Sequence, residues 1–349
     1  MIGIGVIGYG YWGPNLVRNI VENPGASIVA VSDLRQERLN LVQARYPGVK
    51  TTRDYRELFT DPAVDAVIIA TPVSTHFELA LQALQAGKHV LLEKPMVETV
   101  DDGFRLIDEA ARRQLILMVD HTFIYTGAVR KIKEIIAGGL LGPIYYYDSV
   151  RINLGIFQHD INVLWDLAVH DLAIMDYLLD VRPSVVTAVG IKHVAQKEDI
   201  AYLTCLFDHS IIAHIHVNWL APVKVRRTLI AGGEQMVVYD DLETSEKVKV
   251  YNKGVTLNNN GSNGKNNGSN GVYEMMVDYR TGDMWAPKLS TTEALYTEIS
   301  HFMECIEQNK QPITNGEIGL RVVRILEAAN RSIEQQGQPI ELGWERISL

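Results

Sequence analysis

Cysteine is scarce in this chain, and the two that occur, Cys205 and Cys305, stand alone. Without a Cys-x-x-Cys spacing, neither a zinc ribbon nor a dithiol redox centre is indicated, and a reducing compartment is favoured. No apolar run approaches the about 20 residues of a membrane-spanning helix. Glycines interrupt the apolar start of the chain, whose first basic residue is Arg18, unlike a signal peptide. We therefore expect a cytoplasmic protein with no membrane partner.

Positive charge is also in short supply. Lysine and arginine number 33 against 42 acidic residues, so the formal net charge is −9, and no basic run occurs. This argues against a nucleic-acid partner, and an anionic substrate would need local basic groups acting against the overall field. Hydrophobic residues make up 47% and charged residues 21% of the 349 residues. These values are typical of a globular protein with two domains.

The chain does contain a glycine pattern close to its start. The apolar run 4–7 leads into Gly8-x-Gly10-x-x-Gly13, and Pro14 follows as a favourable first residue of a helix. Strand, glycine turn and helix in this order predict a dinucleotide site. The glycines allow a tight turn and close approach of the backbone to a pyrophosphate, and the helix N-terminus offers free N–H groups to it. The alternative interpretation is a tight turn that binds no ligand. It is the weaker one, because the expected strand and helix surround the glycines.

An acidic residue ends the second apolar run. Asp33 lies 20 residues after Gly13, the distance at which an acid accepts hydrogen bonds from the adenosine ribose. Its charge would repel a 2′-phosphate, so NAD is favoured over NADP. Arg35 could pair with such a phosphate, which leaves NADP possible.

Strand and helix patterns alternate in the first third of the chain. Apolar runs at 64–70, 88–93 and 116–119 alternate with helical patterns near 74–86 and 100–113. Gly87 is placed to end the first of these helices. Repeated β-α-β units predict a doubly wound parallel sheet, and we assign residues 1–122 to an NAD-binding Rossmann domain.

The pattern changes after Gly142-Pro143. Short turns join most of the strand-like runs, which predicts antiparallel pairing; the runs lie at 144–152, 185–192, 201–207, 211–219, 225–231 and 235–240. Helices are expected at 161–179, 291–308 and 318–336. We assign residues 123–349 to an α+β domain with a large, mostly antiparallel open sheet, for substrate binding and oligomerisation. Its uncovered face predicts a homo-oligomer, a dimer or a tetramer.

One segment of this second domain has a biased composition. Asn-Asn-Gly-Ser-Asn-Gly occurs twice within residues 258–271, separated by Lys265. Asparagine and glycine favour turns over regular structure, so the segment predicts a flexible insertion. A mobile lid over the substrate is the alternative interpretation.

Two groups of residues could carry chemistry. Glu93-Lys94-Pro95 follows a predicted parallel strand, at the edge of the sheet where ligands bind, and Pro95 restricts Lys94 and can form a cis bond. Asn162, Asp166 and His170 recur every four residues in an otherwise apolar helix, so this polar line needs partners or a cleft. From these residues alone, Lys94 is either a cofactor contact or a solvated charge, and Asp166 with His170 is either a site or a self-satisfying pair.

Other histidines are less informative. Helix capping explains Ser74 and Thr75 in the turn after Thr71-Pro72 but leaves His76 unexplained. His214 and His216 alternate along a strand and face one way. Because no third ligand is evident, we predict no metal and expect sheet surface or an oligomer interface there.

Together these features resemble the Gfo/Idh/MocA oxidoreductases (glucose–fructose oxidoreductase, inositol dehydrogenase and relatives) over nearly the whole chain. The resemblance rests on the glycine turn, Ala70-Thr71-Pro72 with His76, Ala86-Gly87-Lys88-His89-Val90 leading to Glu93-Lys94-Pro95, and Asp166-x-x-x-His170. Segments 151–157, 165–171 and 279–283 are similar to dehydrogenases of sugar-nucleotide and surface-polysaccharide pathways. The family's glycine-rich stretch before the helical Asp-x-x-x-His is absent, and Phe123-Ile124-Tyr125 stands where Phe-Arg-Tyr is often found.

The resemblance implies hydride transfer between a sugar ring carbon and the nicotinamide. His170 would be the general base, Lys94 would stabilise the alkoxide on the same oxygen, and Asp166 would orient His170 or bind a neighbouring hydroxyl. Cofactor contacts are implied for Gly8, Tyr9, Gly10, Tyr11, Trp12, Gly13, Asp33, Leu34, Arg35, Thr71, Pro72, His76, Glu93, Lys94 and Pro95. Substrate contacts are expected from position at Asn153, Asn162, Arg280 and Lys288, the last two facing a diphosphate if the substrate has one.

Two alternatives to a simple dehydrogenase stay open. Some members of the family cleave glycosidic bonds by oxidising a ring position, eliminating and reducing back, with no net NADH. A regulator that senses NAD or a sugar is the other, although such a protein has no need for Lys94 and His170 together.

Overall fold

The structure is a computed structural model that describes residues 1–155, 157–158, 160–194, 196–208, 211–257 and 277–344. The insertion predicted at 258–271 lies outside the described residues. Within the described ranges, no helix combines the length and apolar character needed to cross a bilayer.

A six-stranded parallel sheet forms the first region, in the order β3-β2-β1-β4-β5-β6. Its strands are β1 (Ile2–Ile7), β2 (Ala26–Ser32), β3 (Lys50–Thr52), β4 (Ala66–Ile69), β5 (His89–Glu93) and β6 (Leu117–Asp120). Its helices are α1 (Gly13–Glu22), α2 (Gln36–Arg45), α3 (Arg56–Thr60), α4 (His76–Gln85) and α5 (Val100–Arg113). The central strands are uninterrupted apolar runs because helices cover the sheet on both faces. The strand order reverses between β1 and β4, where doubly wound sheets bind ligands.

A nine-stranded sheet forms the second region, in the order β16-β13-β12-β11-β7-β10-β9-β8-β17. These strands are β7 (Ile144–Leu154), β8 (Pro183–Ile191), β9 (Ile200–Phe207), β10 (Ile212–Asn218), β11 (Leu220–Gly232), β12 (Met236–Asp240), β13 (Val248–Tyr251), β16 (Met284–Trp285) and β17 (Ile340–Glu341). A separate ribbon pairs β14 (Gly254–Leu257) with β15 (Val277–Arg280). Pairing is antiparallel except between β7 and β10.

Four α-helices belong to this second region: α6 (Gly127–Ala137), α7 (Val169–Leu179), α8 (Ala294–Gln308) and α9 (Gly316–Glu334). Burial alternates along β9 and β10, so one face of the sheet is packed and the other is open. The predicted doubly wound sheet followed by a large, mostly antiparallel sheet is therefore confirmed. The first sheet ends at Asp120 and the second begins at Ile144, but α9 packs on α5. A division at residue 122 stays a prediction.

Local expectations were right where backbone geometry is special and wrong where side chains compete. Gly87 has φ +79° and ends α4 as predicted. Thr75 does not cap α4, because its hydroxyl donates to the Pro72 carbonyl at 2.8 Å. The helix expected from residue 161 begins after Asn162, whose side chain accepts the N–H groups of Leu164 and Trp165 at 3.1 and 3.3 Å, and its first turn, 164–168, is π-helical.

Candidate active site

The glycine turn has the geometry that its sequence pattern predicts. Gly8 has φ +97°, and a Cβ there would lie 2.3 Å from the Ala70 carbonyl oxygen. A Cβ on Gly13 would lie 2.5 Å from the Gly8 carbonyl oxygen. At Gly10, by contrast, the nearest atom to a Cβ is the Arg35 Nη2, 3.8 Å away. The backbone at Gly10 is therefore open to a group as close as a pyrophosphate.

A cavity of about 860 Å³ runs along the carboxyl ends of β1, β2, β4 and β5. The predicted cofactor residues that line it are Gly8, Gly10, Tyr11, Trp12, Asp33, Leu34, Arg35, Thr71, Pro72, Glu93 and Lys94. Its volume lies within the range of cofactor pockets. The open face at Gly10, the acid at the end of β2 and the helix N-terminus together fit a dinucleotide. Tyr9, Gly13, His76 and Pro95 are not among its lining residues.

Asp33 fixes the glycine turn as well as facing the cavity. One carboxylate oxygen accepts the Tyr9 N–H at 2.8 Å, and the other accepts the Arg35 N–H at 2.9 Å. The Arg35 Nε lies 3.4 Å from the second oxygen, on a side chain that is 51% exposed. Each carboxylate oxygen can accept more than one hydrogen bond, so Asp33 keeps capacity for a ribose hydroxyl.

His76 lies behind the cavity wall rather than in it. Its ring is buried between two carbonyl oxygens, with Nδ1 2.9 Å from Pro95 O and Nε2 2.9 Å from Thr71 O. Burial lowers the pKa of this imidazole. Because Thr71 and Lys94 both line the cavity, His76 joins two of its loops. The contacts give His76 a positioning role, although the sequence suggested a direct cofactor contact.

Lys94 connects the two regions of the molecule. The Lys94–Pro95 bond is cis, as the sequence suggested was possible. The Lys94 ammonium donates to the Asp166 carbonyl oxygen at 2.9 Å and to its Oδ1 at 3.3 Å. Both side chains are about one-fifth exposed, at 18% and 21%. A lysine at the end of β5 therefore meets the π-helical turn that precedes α7.

Asp166 is held by a second donor from the large sheet. The Trp219 indole N–H donates to Asp166 Oδ2 at 3.1 Å, so its two carboxylate oxygens have different partners. The Val169 N–H reaches back five residues to the Leu164 carbonyl, which widens the helix at this turn. Asp166 thus orients Lys94, a role that the sequence did not suggest.

His170 lies one turn after Asp166 and packs edge-on against Phe123, with ring centroids 4.9 Å apart. Its Nδ1 is buried and has no hydrogen-bond partner among the described residues. Burial lowers the pKa of His170 well below its usual value, and the charges of Lys94 and Arg151 act in the same direction. A histidine in this state is neutral at physiological pH and has a free nitrogen lone pair.

A buried ion pair lies next to His170 and supports the start of α7. Arg151 on β7 makes two hydrogen bonds to Asp171, at 2.8 and 3.1 Å, and both side chains are under 5% exposed. The Ser149 hydroxyl also donates to Asp171 at 2.8 Å. Asp171 directly follows His170, so the pair fixes the first turn of α7. Sequence reasoning missed this pair, although Ser149 and Arg151 share a strand face with Asn153.

Three neighbouring carboxyl groups, those of Glu93, Asp120 and Glu298, lie on the amino-terminal side of the site, and Glu93 lines the cavity. Asp120 accepts the Trp12 indole N–H at 3.2 Å and the Thr122 hydroxyl. Burial raises the pKa of Glu93 and of Glu298 well above the usual value, and Asp120 adds to both shifts. Both shifts favour the protonated form of these two carboxyl groups. Of the three, Asp120 contacts the glycine turn through the Trp12 indole.

The four predicted substrate residues fall in different places. Asn153 lies on the same face of β7 as Arg151, partly exposed and facing the site. Asn162 is buried, and its amide nitrogen donates to Glu198 and Asn330 at 3.1 and 3.0 Å while its oxygen caps the following turn. Its amide is thus occupied by structural contacts.

The other two residues lie away from Lys94. Arg280 pairs with Glu234 at 3.3 Å, beside the start of β7. Arg151 lies seven residues beyond that start, roughly 23 Å along the strand. Lys288 lines a separate cavity of about 630 Å³, none of whose lining residues line the cofactor cavity.

His214 and His216 lie on the open face of the large sheet. Tyr202 stacks on both rings, at centroid distances of 6.0 and 4.4 Å. In the part of the chain that the structure describes, no group of three or more histidine, cysteine, aspartate or glutamate side chains could hold a metal.

The fold and this site define an NAD-dependent oxidoreductase. A family profile described as an oxidoreductase family with an NAD-binding Rossmann fold, GFO_IDH_MocA, matches residues 2–121, and the profile of the family's C-terminal domain matches residues 129–238. The chain belongs to the GFO/IDH/MocA oxidoreductase family.

Named relatives act on two kinds of substrate. UDP-N-acetylglucosamine 3-dehydrogenase of Acidithiobacillus ferrooxidans is 30% identical over 74% of this chain and 76% of its own. Its crystal structure superposes with a TM-score of 0.79 at 26% identity, covering 96% of this chain and 99% of that one. Myo-inositol 2-dehydrogenase of Thermotoga maritima is 25% identical over 95% of this chain and 96% of its own.

Proposed function

We propose that this protein is an NAD-dependent dehydrogenase that oxidises a secondary hydroxyl of a sugar, and of a nucleotide sugar in particular. One observation carries the proposal: Lys94, which lines the cofactor cavity, reaches the helix that carries His170, one turn before it. A cation that lines the cofactor cavity therefore contacts the helical turn that precedes a neutral base from the other region of the chain. This is the arrangement that proton removal from a carbinol needs.

In the proposed mechanism each side chain has one role. The nicotinamide, when bound, supplies the hydride acceptor. His170 takes the hydroxyl proton, since its lowered pKa keeps it neutral at working pH. Lys94 donates a hydrogen bond to the same oxygen and stabilises the negative charge that develops there. Asp166 and Trp219 hold the Lys94 ammonium in place through the contacts at 2.9 and 3.1 Å.

Support for a sugar substrate comes from the relatives and from the polar face of β7. UDP-N-acetylglucosamine and inositol are both ring polyols with secondary hydroxyls, and both appear in the names of relatives. Asn153 is the predicted substrate residue on the site face of β7, where its amide is suited to a ring hydroxyl. The nucleotide part of the proposal rests on the similarity to the UDP-sugar enzyme.

Measurement of NADH formation tests the proposal directly. Purified protein with NAD is assayed against UDP-N-acetylglucosamine, other UDP-sugars, myo-inositol and scyllo-inositol by absorbance. We expect NADH with at least one UDP-sugar, and turnover restricted to inositols would contradict the nucleotide-sugar part. Release of an aglycone at constant NADH absorbance would support glycoside cleavage instead. Tight NAD binding without turnover of any compound would contradict an enzyme of this kind.

We also propose a homo-oligomer that forms through the open face of the large sheet. Exposed apolar side chains from three neighbouring strands, Val189, Tyr202, Leu206 and Ile212, share this face. A broad apolar sheet surface is rarely left in water. Light scattering at micromolar concentration should give a dimer or tetramer, and Tyr202→Glu should lower the mass. A monomeric wild-type protein would contradict this.

A further inference from the structure

The proposed mechanism leaves one charged group at the site unused. Arg226, on β11, donates from Nη1 to Asp241 Oδ2 at 3.2 Å. The Lys247 ammonium lies 3.3 Å from the other oxygen of the same carboxylate. Two cations therefore share one anion, so this group carries one excess positive charge. It is a local basic group in a chain whose formal net charge is −9.

This excess charge lies beside the proposed base. Both groups contact the Phe123 ring: the centroid of the His170 ring is 4.9 Å from its centroid, and the Arg226 guanidinium carbon is 5.6 Å from it. Arg151 also contacts this ring, at 4.5 Å, but its charge is balanced by the two hydrogen bonds to Asp171. The Lys94 charge is balanced in the same way by Asp166. Among the cations that the structure describes around Phe123 and Lys94, Arg226 thus has a share of uncompensated charge.

Arg226 is also reachable and incompletely bonded. Its side chain is 30% exposed, and that of Lys247 is 34% exposed. The Arg226 Nε is buried and has no acceptor in the described part of the chain. A buried donor without a partner lowers the stability of the folded protein. Stability therefore does not explain why a cation stands at this edge of the site.

We propose that Arg226, with Lys247 beside it, binds an anionic oxygen group of the substrate about one sugar ring away from the oxidised carbon. A carboxylate of a uronic sugar and a phosphate of a nucleotide sugar share this chemistry, and guanidinium groups bind either one well. The inference rests on the proposed function and adds that neutral polyols lack a group that the site is built to hold. An anion site would distinguish this protein from an enzyme that recognises its substrate through hydroxyl groups alone.

Arg226 has two simpler roles that the experiment must separate. It could only stabilise the sheet through Asp241, or it could only help to keep His170 neutral through its charge. A structural role lowers stability without changing the preference between substrates. A purely electrostatic role shifts the pH dependence of turnover equally for charged and neutral substrates.

The test compares Arg226→Gln with Arg227→Gln. Arg227 is the next residue on β11, exposed on the opposite face of the sheet, and serves as the matched control. Calorimetry of the NADH complex measures binding of UDP-N-acetylglucosamine, glucuronate and myo-inositol, so binding is measured whether or not a compound turns over. For compounds that do turn over, KM and kcat are compared across pH.

For wild-type protein and Arg227→Gln we expect at least one of the two anionic compounds to bind. Arg226→Gln should weaken that binding about tenfold to a hundredfold, the loss typical of one charge-assisted hydrogen bond. Myo-inositol binding should change less than about twofold, because it makes no charged contact. Arg226→Lys should recover part of the loss. Preference for UDP-N-acetylglucosamine identifies the phosphate and preference for glucuronate the carboxylate.

Several outcomes would overturn the inference. They are failure of the wild-type NADH complex to bind either anion, equal weakening of all three compounds in Arg226→Gln, and an Arg227→Gln effect of the same size. A shared shift of the pH profile without a change in substrate preference would leave Arg226 as a tuning residue only. If a neutral polyol is turned over and Arg226→Gln does not weaken anion binding, this inference is overturned. The dehydrogenase proposal would then still stand.

Discussion

The two walls of the site are built in different ways. The amino-terminal wall is made largely of backbone: a glycine turn, a strand-end loop after β4 and the segment around Lys94. The carboxy-terminal wall is made of side chains from β7, β11, α7 and the turn before it, and Trp219 between β10 and β11, joined by hydrogen bonds such as Arg151 to Asp171 and Trp219 to Asp166. The first wall suits a ligand that stays the same across a family, and the second can change with the substrate.

Charge is distributed just as unequally. In the amino-terminal wall, burial raises the pKa values of Glu93 and Glu298 well above the usual value, and the Asp120 charge adds to both shifts. In the carboxy-terminal wall, burial lowers the pKa of His170 well below its usual value, and the charges of Lys94, Arg151 and Arg226 add to this shift. Raised carboxyl pKa values thus characterise the amino-terminal wall, and a lowered histidine pKa characterises the carboxy-terminal wall. The comparison predicts that changes in the two walls fail in different ways.

The largest effect is expected from the buried pair of the carboxy-terminal wall. Asp171→Asn leaves Arg151 buried without a counter-charge, which should lower the free energy of unfolding by about 3–5 kcal/mol. Chemical denaturation measures the change. Glu134→Gln is the matched control, because Glu134 pairs with Lys131 at a side chain that is 65% exposed. That change should cost less than about 1 kcal/mol. Equal losses of unfolding free energy in the two variants would show that the buried pair stabilises the protein no more than the exposed pair does.

Next comes Lys94→Ala, in the amino-terminal wall. Removing the donor to the reacting oxygen should lower kcat about a hundredfold to a thousandfold, or about 2.7–4 kcal/mol. NAD affinity, followed by tryptophan fluorescence, should change little because the glycine turn is intact. Lys50→Ala, a half-exposed lysine paired with Glu57, should keep full activity. Retained turnover in Lys94→Ala would remove the lysine from the mechanism.

The pH dependence of turnover tests the role of His170 as the base separately from the role of Lys94. His170 has a lowered pKa, so it stays neutral on acidification until the pH falls below the usual histidine value of about 6.5. We expect kcat/KM for alcohol oxidation to be independent of His170 ionisation at neutral pH and to fall only in the more acidic range. His170→Asn should lower activity and abolish that limb. An acid limb centred at or above about pH 6.5 would contradict a neutral base held by burial.

The smallest effect is expected at Trp12. Trp12→Phe removes the indole hydrogen bond to Asp120, which is worth about 0.5–1.5 kcal/mol, and should weaken NAD binding by a few-fold. Trp344→Phe loses a comparable indole hydrogen bond, to Pro183 O at 2.7 Å, outside the cofactor cavity. Calorimetry with NAD should distinguish the variants. Equal NAD affinities would mean that Asp120 does not position the turn.

The sequence determined the cofactor half because its signals are local. Gly13 approaches the Gly8 carbonyl within its own strand–turn–helix unit, Gly8 approaches the Ala70 carbonyl at the end of the neighbouring strand β4, and Asp33 follows β2 of the same sheet. Such contacts follow from strand order, which alternating β-α-β patterns already imply. The second sheet was also predictable as mostly antiparallel, although the parallel contact between β7 and β10 was not.

Only the tertiary structure decided the substrate half. Lys94 meets Asp166 across 72 residues of chain, and Arg151 meets Asp171 because β7 and α7 pack together. Asn162, Asp166 and His170 follow one another at intervals of four residues. Yet the Asn162 side chain caps a turn, whereas the Asp166 side chain binds Lys94. Periodicity specifies which face a side chain occupies, but the partner on that face depends on strand register and helix packing between distant segments.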